Sequence, residues 1–116
     1  MSVTSWVLLA IFLALIVSRV RAAQRTPEQV AAMRQLVARG GQLVDVRSPG
    51  EYQAHHLEGA LNIPLGSLQA RASELGDPAE PLVVYCASGQ RSARAAGALR
   101  SMGFKQVHDL GSWRNW

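Results

Sequence analysis

Leu82-Val83-Val84-Tyr85-Cys86-Ala87-Ser88-Gly89-Gln90-Arg91-Ser92 is the stretch that decides the fold. Its apolar run, 82–85, reads as a buried strand, and the alanine-rich sequence after Ser92 reads as a helix. A short loop with one glycine joins them, which puts the chain's single cysteine at the carboxyl end of a strand, where open α/β sheets collect their ligands. Chemistry is expected at Cys86.

A helix that begins near Arg91 or Ser92 leaves its first-turn amides unpaired and aimed at the loop, adding about half a positive charge. Successive N–H groups around such a loop make a nest that prefers an anion. An Arg91 side chain turned inward would add a fixed cation, one turned outward would not, and the setting favours a thiolate. Taken alone, Cys86 would read equally well as a small buried residue at a strand end. Gly89 and the Arg91-Ser92 spacing shift the balance towards function.

Upstream of the loop, Thr26-Pro27-Glu28-Gln29 has the form of a capping box with proline at the first helical position. Val30, Met33 and Val37 follow at helical spacing, and Gly40-Gly41 ends the helix. Leu43 to Val46 is a short strand leading to Asp45 and Arg47. Ser48-Pro49-Gly50-Glu51 repeats the capping pattern and opens a helix to about His55. Adjacent His55 and His56 diverge by about 100° on a helix and cannot share one metal. Ala60 to Ile63 reads as a strand ended by Pro64, Ser67 to Leu75 as a helix, and 76–81 as turn sequence. Beyond the loop, Ala93, Ala96, Leu99 and Met102 mark the packed face of a helix that Gly103 ends. Gln106 to Leu110 is the next strand, with His108 expected on the exposed side. Trp113 and Trp116, three apart, fall on one side of a final turn, over the core or against a membrane surface.

Strands alternating with helices predict an α/β domain with a mostly parallel central sheet covered by helices on both faces. It is preceded by something different. Residues 1–18 carry no charged side chain, and a helix over residues 3–20 would be roughly 27 Å long, enough for a thin bilayer. Arg19, Arg21 and Arg25 follow it. By the positive-inside rule this charge order predicts one transmembrane helix with the domain in the cytoplasm; the rival is a signal peptide cleaved near Ala23, with the domain exported. The division is therefore 1–25, a membrane anchor with a basic juxtamembrane arm, and 26–116, the folded domain. Of the net charge of +4, those arginines supply +3. The basic balance belongs to an arm suited to anionic headgroups, and no nucleic-acid partner is expected. One cysteine also excludes an internal disulfide framework and a cysteine-rich zinc site.

Five segments in order carry a resemblance: Leu43-Val44-Asp45-Val46-Arg47; Ser48-Pro49-Gly50-Glu51-Tyr52; His56 through Pro64; Cys86 through Ser92; and Gly111-Ser112-Trp113-Arg114-Asn115-Trp116. Over 26–116 the chain resembles the rhodanese-like sulfurtransferases. That resemblance implies the rhodanese-like fold and sulfane-sulfur transfer through a Cys86 persulfide, from thiosulfate or a persulfide donor to a thiol, protein or other thiophilic acceptor. It implies that the backbone of Ala87, Ser88, Gly89, Gln90, Arg91 and Ser92 holds the persulfide, with Arg91 also attracting an anionic donor. Asp45, Arg47 and His56 come over as supporting residues, and His56 has a sharper alternative role as proton donor or sulfur-anion partner. No cofactor or metal is implied. Two other functions stay open. One is a membrane-tethered persulfide carrier or adaptor built on the same loop. The other is a cysteine phosphatase or arsenate reductase, whose loop is one residue longer than the four residues between Cys86 and Arg91.

Overall fold

The computed structural model describes residues 2–116. Its elements run α1 (Val3–Ala23), α2 (Pro27–Ala38), β1 (Gln42–Asp45), α3 (Pro49–Ala54), β2 (Leu61–Asn62), α4 (Leu68–Arg71), β3 (Leu82–Cys86), α5 (Gln90–Ser101) and β4 (Val107–Ser112). Short 3-10 turns flank α4 and follow β4.

The four strands form one sheet in the order β2-β1-β3-β4, every neighbouring pair parallel. Period-2 alternation splits β3 between two cores. Leu82, Val84 and Cys86 face Leu68, Ala95, Ala96 and Leu99, while Val83 and Tyr85 face Met33 and the partly buried Val30, Val37 and Tyr52. Thus α4 and α5 cover one face and α2 and α3 the other. Because β3 is covered on both faces, all five of its residues are buried, and this makes its sequence a continuous apolar run.

Both predicted capping boxes are present. Thr26 and Gln29 exchange hydrogen bonds at the start of α2, and Ser48 and Glu51 do so at the start of α3. The sequence between Ser67 and Leu75 departs from the single helix expected of it: a 3-10 turn, the four-residue α4 and a second 3-10 turn replace it. Only Leu68 and Leu75 are buried there, with Ala72 packed alongside. So few apolar contacts do not hold a long regular helix.

The face of α5 is rotated from its expected position. Ser92, Ala95, Ala96 and Leu99 are buried and Ala93 is exposed, because the helix starts at Gln90 and the loop before it sets its rotation. His108 is likewise half-buried rather than exposed, lining a groove with Met33 and Leu36 of α2. Trp113 and Trp116 both pack against the core on the α2 side, and Arg34 of α2 lies over the Trp116 ring at 5.0 Å.

The helix α1 stands apart from these layers, its apolar side chains exposed from Val3 to Val20. Val3–Arg21 is long and apolar enough to cross a membrane, a property shared by signal sequences. Where the chain leaves α1, Arg25 folds back onto the domain. Its Nε donates to the Asp109 carbonyl at 2.8 Å and a terminal nitrogen lies 3.4 Å from the Asp109 carboxylate.

Candidate active site

The site is assembled at the carboxyl end of β3. Cys86 is the last strand residue and has 0 % of its surface exposed. It is not buried in hydrocarbon alone. The Gly89 N–H donates to Sγ at 3.0 Å, and the thiol donates to Ser92 Oγ at 3.5 Å. Ser92 Oγ in turn donates to the Gly89 carbonyl at 3.1 Å. This return requires a left-handed backbone, which Gly89 provides at φ +101° as the residue capping α5. Of the amides from Ala87 to Ser92, the structure brings that of Gly89 to the sulfur. Ser88 and Gln90 lie exposed at the rim of the loop.

The Arg91 side chain turns away from the loop towards α3. Its Nη1 and Nη2 donate to Glu51 Oε1 and Oε2 at 2.7 and 3.0 Å, a bidentate pair across 40 residues of sequence. The same Glu51 carboxylate accepts from Ser48. These bonds, the Arg91 guanidinium first, hold the Glu51 carboxyl down to about 2. Arg91 therefore clamps α5 to α3 and has its charge matched by a protein carboxylate. The capping pattern revealed Glu51 as a helix start; its long-range partner left no local signal.

Below the loop, the end of β1 carries a buried ion pair. Asp45 Oδ1 accepts from the Arg47 backbone N–H at 2.8 Å, and Oδ2 accepts from Arg47 Nη2 at 2.7 Å. Arg47 Nη2 also donates to the His55 carbonyl at 2.5 Å, and its guanidinium lies over the Tyr85 ring at 5.7 Å. A buried charge is tolerated only when paired and hydrogen-bonded, and no buried side-chain nitrogen or oxygen among the described residues lacks a partner. Asn62 completes the corner, its Nδ2 donating to the Asp45 and Arg47 carbonyls at 3.0 Å each. Nothing in the local sequence marked Asn62 for this task.

A profile for the rhodanese-like domain matches residues 26–116. The chain belongs to the rhodanese-like sulfurtransferase family. It is 37% identical over 73 residues to the thiosulfate sulfurtransferase PspE of Escherichia coli, covering 62% of this chain and 70% of that one. It is 40% identical over 79 residues to the uncharacterized protein YqhL of Bacillus subtilis, covering 67% of this chain and 62% of that one. A putative sulfur carrier of the same organism, YrkF, is 39% identical over 75 residues, 64% of this chain and 40% of its own length. The human single-domain sulfurtransferase TSTD1 superposes with a TM-score of 0.66 at 31% identity, over 74% of this chain and 89% of its own.

Within this rhodanese-like domain, His56 stands at the surface. Its ring stacks on Tyr52 at 3.7 Å, and Nδ1 lies 2.8 Å from the Tyr52 carbonyl, so it closes the end of α3. His55 instead leans on Trp113 with ring centres 5.0 Å apart. The two histidines diverge, and the described residues hold no cluster of three or more metal-ligating side chains. Tyr85, beneath the loop on β3, accepts the Leu57 N–H at 3.1 Å, and its burial pushes the phenol well above its usual range.

Proposed function

We propose that the chain is a sulfurtransferase in which Cys86 carries one sulfane sulfur as a persulfide. The Gly89 N–H at 3.0 Å from Sγ is the observation that carries this reading, because a backbone donor aimed at sulfur favours its anionic forms. With thiosulfate, the Cys86 thiolate attacks the outer sulfur and a new S–S bond forms. The bond from that sulfur to the sulfonate breaks, and sulfite leaves with the electron pair. A thiophilic acceptor such as cyanide or a thiolate then attacks the outer persulfide sulfur, and the Cys86 thiolate departs with the electrons of the broken S–S bond. The remaining loop amides, from Ala87 to Ser92, stabilise the persulfide anion as an oxyanion hole stabilises oxygen.

The test is an intact mass after thiosulfate treatment. A gain of one sulfur atom is expected on the wild type and none on Cys86→Ser; an unmodified wild type refutes the reading. A relay role, in which the persulfide passes only to a protein acceptor, is supported by the similarity to the putative sulfur carrier. It would show as a stable persulfide that small acceptors discharge slowly.

For 1–25 the proposal is a retained anchor with the domain on the cytoplasmic side, supported by an α1 that is apolar up to Ser18 and carries Arg19 and Arg21 at its carboxyl end. A reporter fused after Trp116 is expected to be active in the cytoplasm. A mature N-terminus near Ala23 would identify α1 as a cleaved leader.

A further inference from the structure

Between the carboxyl end of α1 and the amino end of α5 lies a cleft of about 680 Å³. Ser88, Gly89 and Gln90 of the cysteine loop form part of its lining. Arg19 and Arg25 enter it from the α1 side, and Arg94 enters it from α5. The only carboxylate lining it, among the described residues, is Asp109, which pairs with Arg25. Three guanidinium groups thus share the cleft with one carboxylate. The neighbouring Arg91, whose charge would otherwise serve the loop, is matched by Glu51. Both Arg19 and Arg94 are exposed, and Val20 and Ala93 give the cleft an apolar wall.

We propose that Arg19 and Arg94 form a cationic entrance through which a small, multiply charged sulfur anion of the thiosulfate type reaches the cysteine loop, so that α1 contributes to the donor site. The proposal rests on the transferase reading above. Guanidinium forks match the oxygens of a sulfonate in pairs, and because both side chains are exposed their pull on the anion is screened by salt. The sulfonate end is held at the arginines while the outer sulfur meets the loop at Gly89. A positively lined cleft also concentrates anions before contact, which makes association sensitive to salt.

The experiment uses the full chain in a neutral detergent, with an intact mass to verify that residues 1–25 are retained. Initial rates are measured with thiosulfate as donor and cyanide as acceptor for the wild type, Arg19→Gln, Arg94→Gln, the double variant and Arg94→Lys. In the double variant, KM for thiosulfate is expected to rise about tenfold with kcat within about twofold, and the salt dependence of kcat/KM to flatten. Arg94→Lys is expected to recover most of the loss in Arg94→Gln, and the preference for thiosulfate over a neutral trisulfide donor is expected to fall in the double variant. A wild type that takes no sulfur onto Cys86 removes the transferase reading and the entrance with it. A wild type that turns over, beside a double variant with unchanged KM, overturns the entrance alone. So does a lowered kcat at constant KM. A double variant that keeps its KM but releases from anionic lipid vesicles assigns the arginines to headgroups and overturns the proposal as well.

Discussion

Gly89 combines two requirements that pull in the same direction. The chain must reverse tightly after β3 to start α5 against the sheet face, and one N–H must point back at the sulfur it has just passed. A left-handed residue at φ +101° does both, whereas an L side chain there costs about 1–2 kcal/mol. Gly89→Ala is therefore expected to fold with a lower Tm and to form the persulfide more slowly, since relief of the strain moves the amide away from Sγ. Thermal melts and the rate of mass gain with thiosulfate check both halves. A variant with a depressed Tm and a wild-type rate would separate the turn from the chemistry.

At the scale of elements, the site depends on contacts that tie the starts of helices to the ends of strands. Glu51 caps α3 and holds Arg91 of α5, so one carboxylate fixes the position of two helix ends. With its carboxyl lowered from 4.5 to about 2, the folded state binds that proton more weakly than the unfolded chain. The stability contributed by Glu51 is complete above pH 4.5 and is lost as pH falls towards 2. Glu51→Gln should melt below the wild type at neutral pH, and the gap should close over that interval in melts taken across the pH range. The capping half of this arrangement was legible in Ser48-Pro49-Gly50-Glu51, because a capping box is local. The pairing half was not, since Arg91 lies 40 residues away and no periodicity connects the two. For the same reason β1, β3 and α2 were readable from their own apolar patterns, while α4 was not: its form depends on how Leu68 and Leu75 meet the sheet. Cys86 and its loop stood out because strand, glycine and helix occur in immediate succession. The part of Asn62 at the β1 corner emerged only when β1 and β2 were paired.

For the whole molecule, the sheet divides the labour between its two faces. The face covered by α5 receives the sulfur of Cys86 and, at the amino end of that helix, the Arg25–Asp109 junction, whereas the α2 face receives Tyr85 and the tryptophans. An irregularity in β4 makes this division workable. Leu110 is the extra residue between the pairs Val84–Asp109 and Tyr85–Gly111, so the register recovers and Ser112 comes opposite Cys86. A greasy α1 emerges from the same side of the molecule as the loop, with its arginines at the junction.

Complete burial of the sole thiol turns the loop into a sieve. With Sγ covered and the Gly89 N–H bonded to it, alkylation of the native chain should favour iodoacetamide over a bulky maleimide more strongly than it does in the unfolded chain. The same burial would spare the protein from accidental cross-linking to larger thiols, and under the proposed transfer, with no second cysteine to form an internal bridge, a sulfur loaded on Cys86 would leave only to a molecule small or slender enough to enter.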